Sequence, residues 1–160
     1  MLGCLQSEGE LRIDCGSTED IEWAGVQWSR DRFFDNAASH RAKREREEAF
    51  IDTELSGILT TNRVFSRYFA SGYIVPLPAG RYGVTLHIGE PWFPHGGYRS
   101  FGIETEGVMV SEACDPGTQA PNRALRLSFE ACVVDGFLNL TVIPKLSAPV
   151  LSAIEIRRTD

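Results

Sequence analysis

Apolar and polar side chains alternate along much of this chain, and a period of two fits an extended strand with one face buried. In Tyr82-Gly83-Val84-Thr85-Leu86-His87-Ile88 every second side chain is large and apolar. Leu125 to Ala131 and Leu138 to Val142 repeat the pattern, and Phe101 and Ile103 flank Gly102. Near the end, Val150, Ile154 and Ile156 share one face. Turn residues separate these runs: Pro78-Ala79-Gly80, His95-Gly96-Gly97, Asp115-Pro116-Gly117 and Asp135-Gly136. Short strands so punctuated predict an all-β, two-sheet β-sandwich or jelly roll. One segment departs from the pattern. Ala37 to Phe50 is dense in helix formers of both charge signs and has no wide apolar face. It predicts a short surface helix or a solvated loop.

The 160 residues, 42% hydrophobic and 24% charged, suit one core and one domain over 1–160. Neither linker, repeat nor low-complexity tract divides them. A net charge of −6 argues against nucleic acid as a partner, since phosphate recognition needs a basic stripe. No apolar run approaches the roughly 20 residues of a membrane span, so membrane insertion is not expected. Met1 to Gly16 shows no basic segment followed by an apolar one, so no signal peptide is expected there.

Cys4, Cys15, Cys114 and Cys132 lack CxxC spacing, and His40, His87 and His95 lie near none of them. A zinc site is therefore not expected, and no cofactor is implied. The thiols are either small buried or free groups, or they form one or two disulfides in an oxidising compartment. Of the possible bridges Cys114–Cys132 is favoured, because Cys114 is expected in a loop and Cys132 at the end of a strand.

Three segments, in order, resemble the malectin family. The first is Arg12-Ile13-Asp14-Cys15-Gly16-Ser17, followed by Gly25-Val26-Gln27-Trp28-Ser29-Arg30-Asp31. The second is Val64-Phe65-Ser66-Arg67-Tyr68-Phe69. The third runs from Tyr82 through Leu86-His87-Ile88-Gly89-Glu90-Pro91-Trp92-Phe93 to Arg99-Ser100-Phe101-Gly102-Ile103. With the tail from Gly136 to Ile156 the resemblance spans about Leu11 to Arg157. It implies a galactose-binding-like sandwich whose loops at one end hold a short glucose-containing oligosaccharide, with aromatic rings stacked on sugar faces. It also implies an extracytoplasmic setting: secreted, cell-surface or lumenal. Tyr68 matches a family ligand tyrosine, and Trp92-Phe93 match a Tyr-Phe pair. Two family contacts have no counterpart: no tyrosine lies between Phe50 and Gly57, and Ser147 stands where the family has an aspartate.

The loop chemistry agrees with that expectation. A pyranose needs a flat apolar surface for its C–H face and directed polar groups for its hydroxyls. Glu90 to Arg99 carries both, with Trp92 and Phe93 adjacent and His95, Tyr98 and Arg99 following. Trp92 and Phe93 are candidate stacking residues, unless one of them plugs the end of the sandwich. Tyr68 is either a third or a half-buried strand residue, since Tyr68 or Phe69 is expected to face inward. Arg67, His95, Tyr98 and Arg99 are candidate hydrogen-bonding partners, with structural ion pairs the alternative for both arginines. Glu90 is expected to orient the loop through backbone N–H groups, and Trp28 to pack in the core.

Glycoside hydrolysis needs two carboxylates about 5–10 Å apart, and no spacing among Asp14, Asp20, Glu22, Asp31 and Glu90 selects a pair. No nucleophile elbow, P-loop or HExxH motif is present. A non-catalytic carbohydrate-binding module is the expected function. The alternative is a protein- or peptide-interaction module within a larger surface protein or multidomain enzyme.

Overall fold

The computed structural model describes residues 9–35, 39–43 and 54–160. Its strands, in chain order, are β1 (Glu10–Asp14), β2 (Ile21–Trp23), β3 (Val26–Trp28), β4 (His40–Lys43), β5 (Thr61–Val64), β6 (Ser71–Pro76) and β7 (Gly80–Gly89). They continue with β8 (Ser100–Thr105), β9 (Val108–Cys114), β10 (Ala124–Val133), β11 (Phe137–Leu146), β12 (Val150–Leu151) and β13 (Ala153–Arg158). Among the described residues one short α-helix, α1 (Pro116–Gln119), precedes β10, and a single 3-10 turn, Ile58–Thr60, precedes β5.

Two antiparallel four-stranded sheets, ordered β1-β13-β7-β10 and β6-β11-β8-β9, form the sandwich. The alternation read from the sequence sets which face each strand buries. Tyr82, Val84, Leu86 and Ile88 point inward from β7, with Leu11, Ile13, Ile154 and Ile156 beside them. From the other sheet come Tyr73, Val75, Phe101, Ile103, Leu140 and Val142, closing one shared core. Trp28 is buried as expected, packed with Ile58, Leu59 and Ala153 in a smaller cluster. The all-β sandwich is thus what the chain forms.

Two expectations are corrected. Within Ala37 to Phe50, His40–Lys43 is a strand, antiparallel to β5 from His40–Val64 to Lys43–Thr61, in a small sheet ordered β12-β5-β4. Backbone pairing with β5 outweighs a local helix preference that was weak without an apolar face. Residues 44–50 lie outside the described residues.

The second correction concerns Cys114 and Cys132, which are not bridged. Cys114 closes β9 rather than sitting in a loop, and its buried Sγ lies 3.3 Å from Ser111 Oγ. Cys132 belongs to the opposite sheet, between buried Ala131 and Val133, so the strand alternation turns its thiol outward. The two sulfurs occupy different sides of the sheets.

Polar ties fix the end of the sandwich from which the candidate loop departs. Ser152, fully buried, donates its hydroxyl to Asn62 Oδ1 (2.7 Å) and accepts from Gly89 N (2.9 Å), joining β5, β7 and the β12–β13 link. Asp31, the last residue of the Gly25–Asp31 motif, accepts from Arg63 Nε (2.7 Å), Tyr73 Oη (2.8 Å) and Gly16 N (2.7 Å). Its role is structural: one carboxylate ties the turn after β1 to β5 and β6. Gly16 has φ +86°, and a Cβ there would lie 2.4 Å from the Asn62 carbonyl oxygen, so the turn admits no side chain.

Candidate functional site

β7 runs straight into the Glu90–Arg99 loop, and the loop is held from beneath by one ion pair. Glu90 and Arg99 are both buried, with Arg99 Nε donating to Glu90 Oε2 (2.8 Å) and Nη2 to Oε1 (3.0 Å). Glu90 Oε1 also accepts the backbone N–H groups of Trp92 (3.0 Å) and Phe93 (3.1 Å). Arg99 Nη1 donates to the Ala148 carbonyl, which ties in the chain beyond β11. Glu90 therefore has the orienting role expected of it, and Arg99 is a structural ion-pair residue. A buried bidentate pair of this kind fixes geometry.

The outer part of the loop rests on α1. Asp115 Oδ2 accepts from Gly97 N (2.6 Å) and from Thr118 Oγ1 (2.7 Å). Burial pushes the Asp115 carboxyl up, but hydrogen bonds from Thr118, Gly97 and Gly117 outweigh it and hold the pKa below the ordinary value. Gly96 packs so closely that a Cβ would fall 2.6 Å from Thr118 N. Phe93 stacks on Tyr98 with centroids 5.4 Å apart, and the Arg99 guanidinium lies 5.0 Å from the Phe93 ring. Trp92 is left standing out, 59% exposed.

Below Trp92 opens a cleft of about 520 Å³, lined by His40, Arg41 and Ala42 of β4, Val64, Pro91, Trp92, Phe93, Arg99, Ser147 and Ala148. Of the residues singled out in the sequence, Trp92 and Phe93 line it together with Arg99. Ser147, with φ +62°, lies there too, at the position where the family pattern has an aspartate. Tyr68, Arg67, His95 and Tyr98 are not among its walls. Residues 65–70 are a loop rather than a continuing strand, because β5 ends at Val64. Tyr68 is 84% exposed and Phe69 44%, so neither faces inward as expected; Arg67 lies 5.8 Å from the Tyr68 ring. His95 is exposed at the loop tip.

The β4 wall is the part that sequence reasoning missed. His40, Arg41 and Ala42 line the cleft, yet nothing local marks His40-Arg41-Ala42 as strand. Only the pairing with β5 puts them there. Arg41 and Ala42 also border a second, smaller hollow of about 290 Å³ with Gly16 to Glu19, Ile21 and Thr61. Among the described residues no group of three or more His, Cys, Asp or Glu is placed to hold a metal, and no helix is long and apolar enough to cross a membrane.

Comparisons with solved structures bear on the fold. The chain is similar to Bacteroides uniformis β-glucuronidase (TM-score 0.78, 18% identity, covering 94% of this chain and 18% of that one). It is similar to a structure of the plant peptide RALF23 in complex with FER and LLG2 (TM-score 0.79, 16% identity, covering 99% and 53%). The ANX1 ectodomain from Arabidopsis thaliana also matches (TM-score 0.76, 13% identity, covering 94% and 48%). The chain thus spans from about a fifth to about half of the length of these structures. Comparison with curated protein sequences gives no match. The family model described as the malectin domain matches residues 10–156, nearly the whole chain, and with the sandwich and its loop-end cleft it places the chain in the malectin domain family.

Proposed function

We propose that this chain is a non-catalytic carbohydrate-binding module that takes a short glucose-containing oligosaccharide in the cleft between β4 and the Glu90–Arg99 loop. One observation carries the reading: Trp92 holds a large ring 59% exposed at the wall of a 520 Å³ cleft while its backbone is pinned by buried Glu90. An exposed ring held rigidly loses little freedom when a sugar face stacks on it. His40, Arg41 and Ser147 supply donors and acceptors for hydroxyls, and Phe93, braced by Tyr98 and Arg99, forms the cleft's apolar side. Membership of the malectin family and the loop-end position support a glycan, and an extracytoplasmic setting follows from the same reading. Calorimetric titration with gluco-oligosaccharides is the test. Trp92→Ala should weaken binding by on the order of 1–3 kcal/mol while the melting temperature barely moves. A collapse of the melting temperature, or an unchanged affinity, would make Trp92 structural.

A second reading has its own observation. Tyr68 (84% exposed), Phe69 and Tyr98 present apolar surface outside the cleft, the kind of surface a protein or peptide partner covers. The RALF23 complex with FER and LLG2 shows that a structure of this fold can belong to a peptide-bound assembly. If that reading holds, Tyr68→Ala weakens partner binding and leaves saccharide titrations unchanged.

A further inference from the structure

Four strand edges flank the two main sheets, and three are protected. Along β1, Asp14 N donates to Ser29 O (2.9 Å) and Ser29 N to Arg12 O (2.8 Å). Along β6, Asp35 N donates to Gly72 O (2.7 Å) and Ile74 N to Phe33 O (2.8 Å). The register of β9 on β8 is broken at two places, a device that spoils an edge as a template. β10 has none of these protections. Its ten residues pair with β7 without a break, from Ala124–Gly89 to Val133–Gly80, and they include neither proline nor lysine. Among the described residues no strand lies on its other side. Leu125, Leu127 and Phe129 point toward the core and yet stay partly exposed, because the sheet ends there.

We propose that β10 is a self-recognition edge, through which two copies of this chain pair antiparallel about a two-fold axis at Ser128. The two four-stranded sheets then become one continuous sheet. The occupant is argued from charge. In an antiparallel pair, residues directly opposite each other share a face. An axis at Ser128 sets Arg126 opposite Glu130 twice, and Leu127 opposite Phe129 twice. Moving the axis one residue either way sets Arg126 against Ser128 or against Cys132 and loses the match. Both Arg126 and Glu130 are exposed, and neither has an ion-pair partner among the described residues. The partner strand also covers the half-exposed sides of Leu127 and Phe129. No residue of β10 lines the cleft, and the pairing does not depend on the sugar reading.

Sedimentation velocity over a concentration series, with thermal melts to verify folding, tests the proposal. The unsubstituted chain should show a monomer–dimer equilibrium that weakens with salt. Arg126→Glu should raise the dissociation constant on the order of tenfold, since like charges then face each other twice. Adding Glu130→Arg should restore the dimer, because the charges are merely exchanged. In a Cys132→Ser background, Ser128→Cys should give a disulfide-linked dimer under mild oxidation, which the Cys132→Ser parent does not form. A monomer at every concentration, a double variant no better than Arg126→Glu, or a dimer that Ser128→Cys fails to cross-link would each overturn the pairing.

Discussion

Asp14 ends β1 with its carboxyl almost wholly removed from water, and its pKa is raised to about 7. Burial is the main cause; the Thr61 hydroxyl, 2.8 Å away, opposes it, and the nearby Asp31 charge adds to it. An unfolded aspartate titrates near pH 4 (about 3.9). Between about pH 4 and pH 7 the folded chain keeps a proton that the unfolded chain has released. The contribution to stability is therefore complete below about pH 4 and is lost as pH rises through about 7. Asp14→Asn keeps an acceptor for Thr61 and removes the ionisation. Thermal melts in a pH series should show both proteins alike near pH 4, the variant gaining toward pH 7, and a constant difference above. A difference independent of pH would contradict this.

The thiols give a second prediction at this scale. Cys15 and Cys114 are buried, and burial pushes both pKa values up, whereas Cys132 is exposed. Alkylation of the native protein, read peptide by peptide in a mass spectrometer, should modify Cys132 and spare Cys15 and Cys114 until the chain unfolds. A peptide joining Cys114 to Cys132 would restore the bridge that the fold denies.

Among the elements, the Glu90–Arg99 loop and β4 decide the site, and they differ in how they could be read. The loop was legible: adjacent aromatics among Pro and Gly do not belong to a core strand, and Glu90 stood where a strand ends. Its second anchor was not. Asp115 lies far along the chain, and only the fold brings its carboxylate to Gly97 and Thr118. Asp115→Ala should leave the core intact but speed hydrogen exchange at the Gly97 amide, and weaken saccharide binding by about 1 kcal/mol through loss of loop order. Unaltered exchange at Gly97 would show that α1 does not hold the loop. β4 was hidden because its residues have no strand propensity and no alternation; tertiary pairing alone makes it a strand. The same limit applies to Arg67 to Phe69, where an expected strand stops at Val64 and releases Tyr68 to solvent.

For the whole molecule, alternation was enough to predict a sandwich because a period of two leaves a strand few ways to bury its apolar face. The polar ties at the loop end had no local signature. Asp31 sat in a motif without a role until Arg63, Tyr73 and Gly16 converged on it. The tryptophans turn the central claim into a direct measurement, since the three occupy distinct environments. Trp28 is buried, Trp23 donates its indole N–H to Glu54 O (2.8 Å), and Trp92 stands at the cleft. In ¹H–¹⁵N spectra of the labelled protein, titrated with glucose di- and trisaccharides and assigned with Trp92→Phe, the Trp92 indole resonance should move progressively and saturate. The Trp23 and Trp28 resonances should stay in place. If the Trp92 signal holds still at millimolar sugar, or if Trp23 moves in its stead, the cleft below Trp92 is not the glycan site.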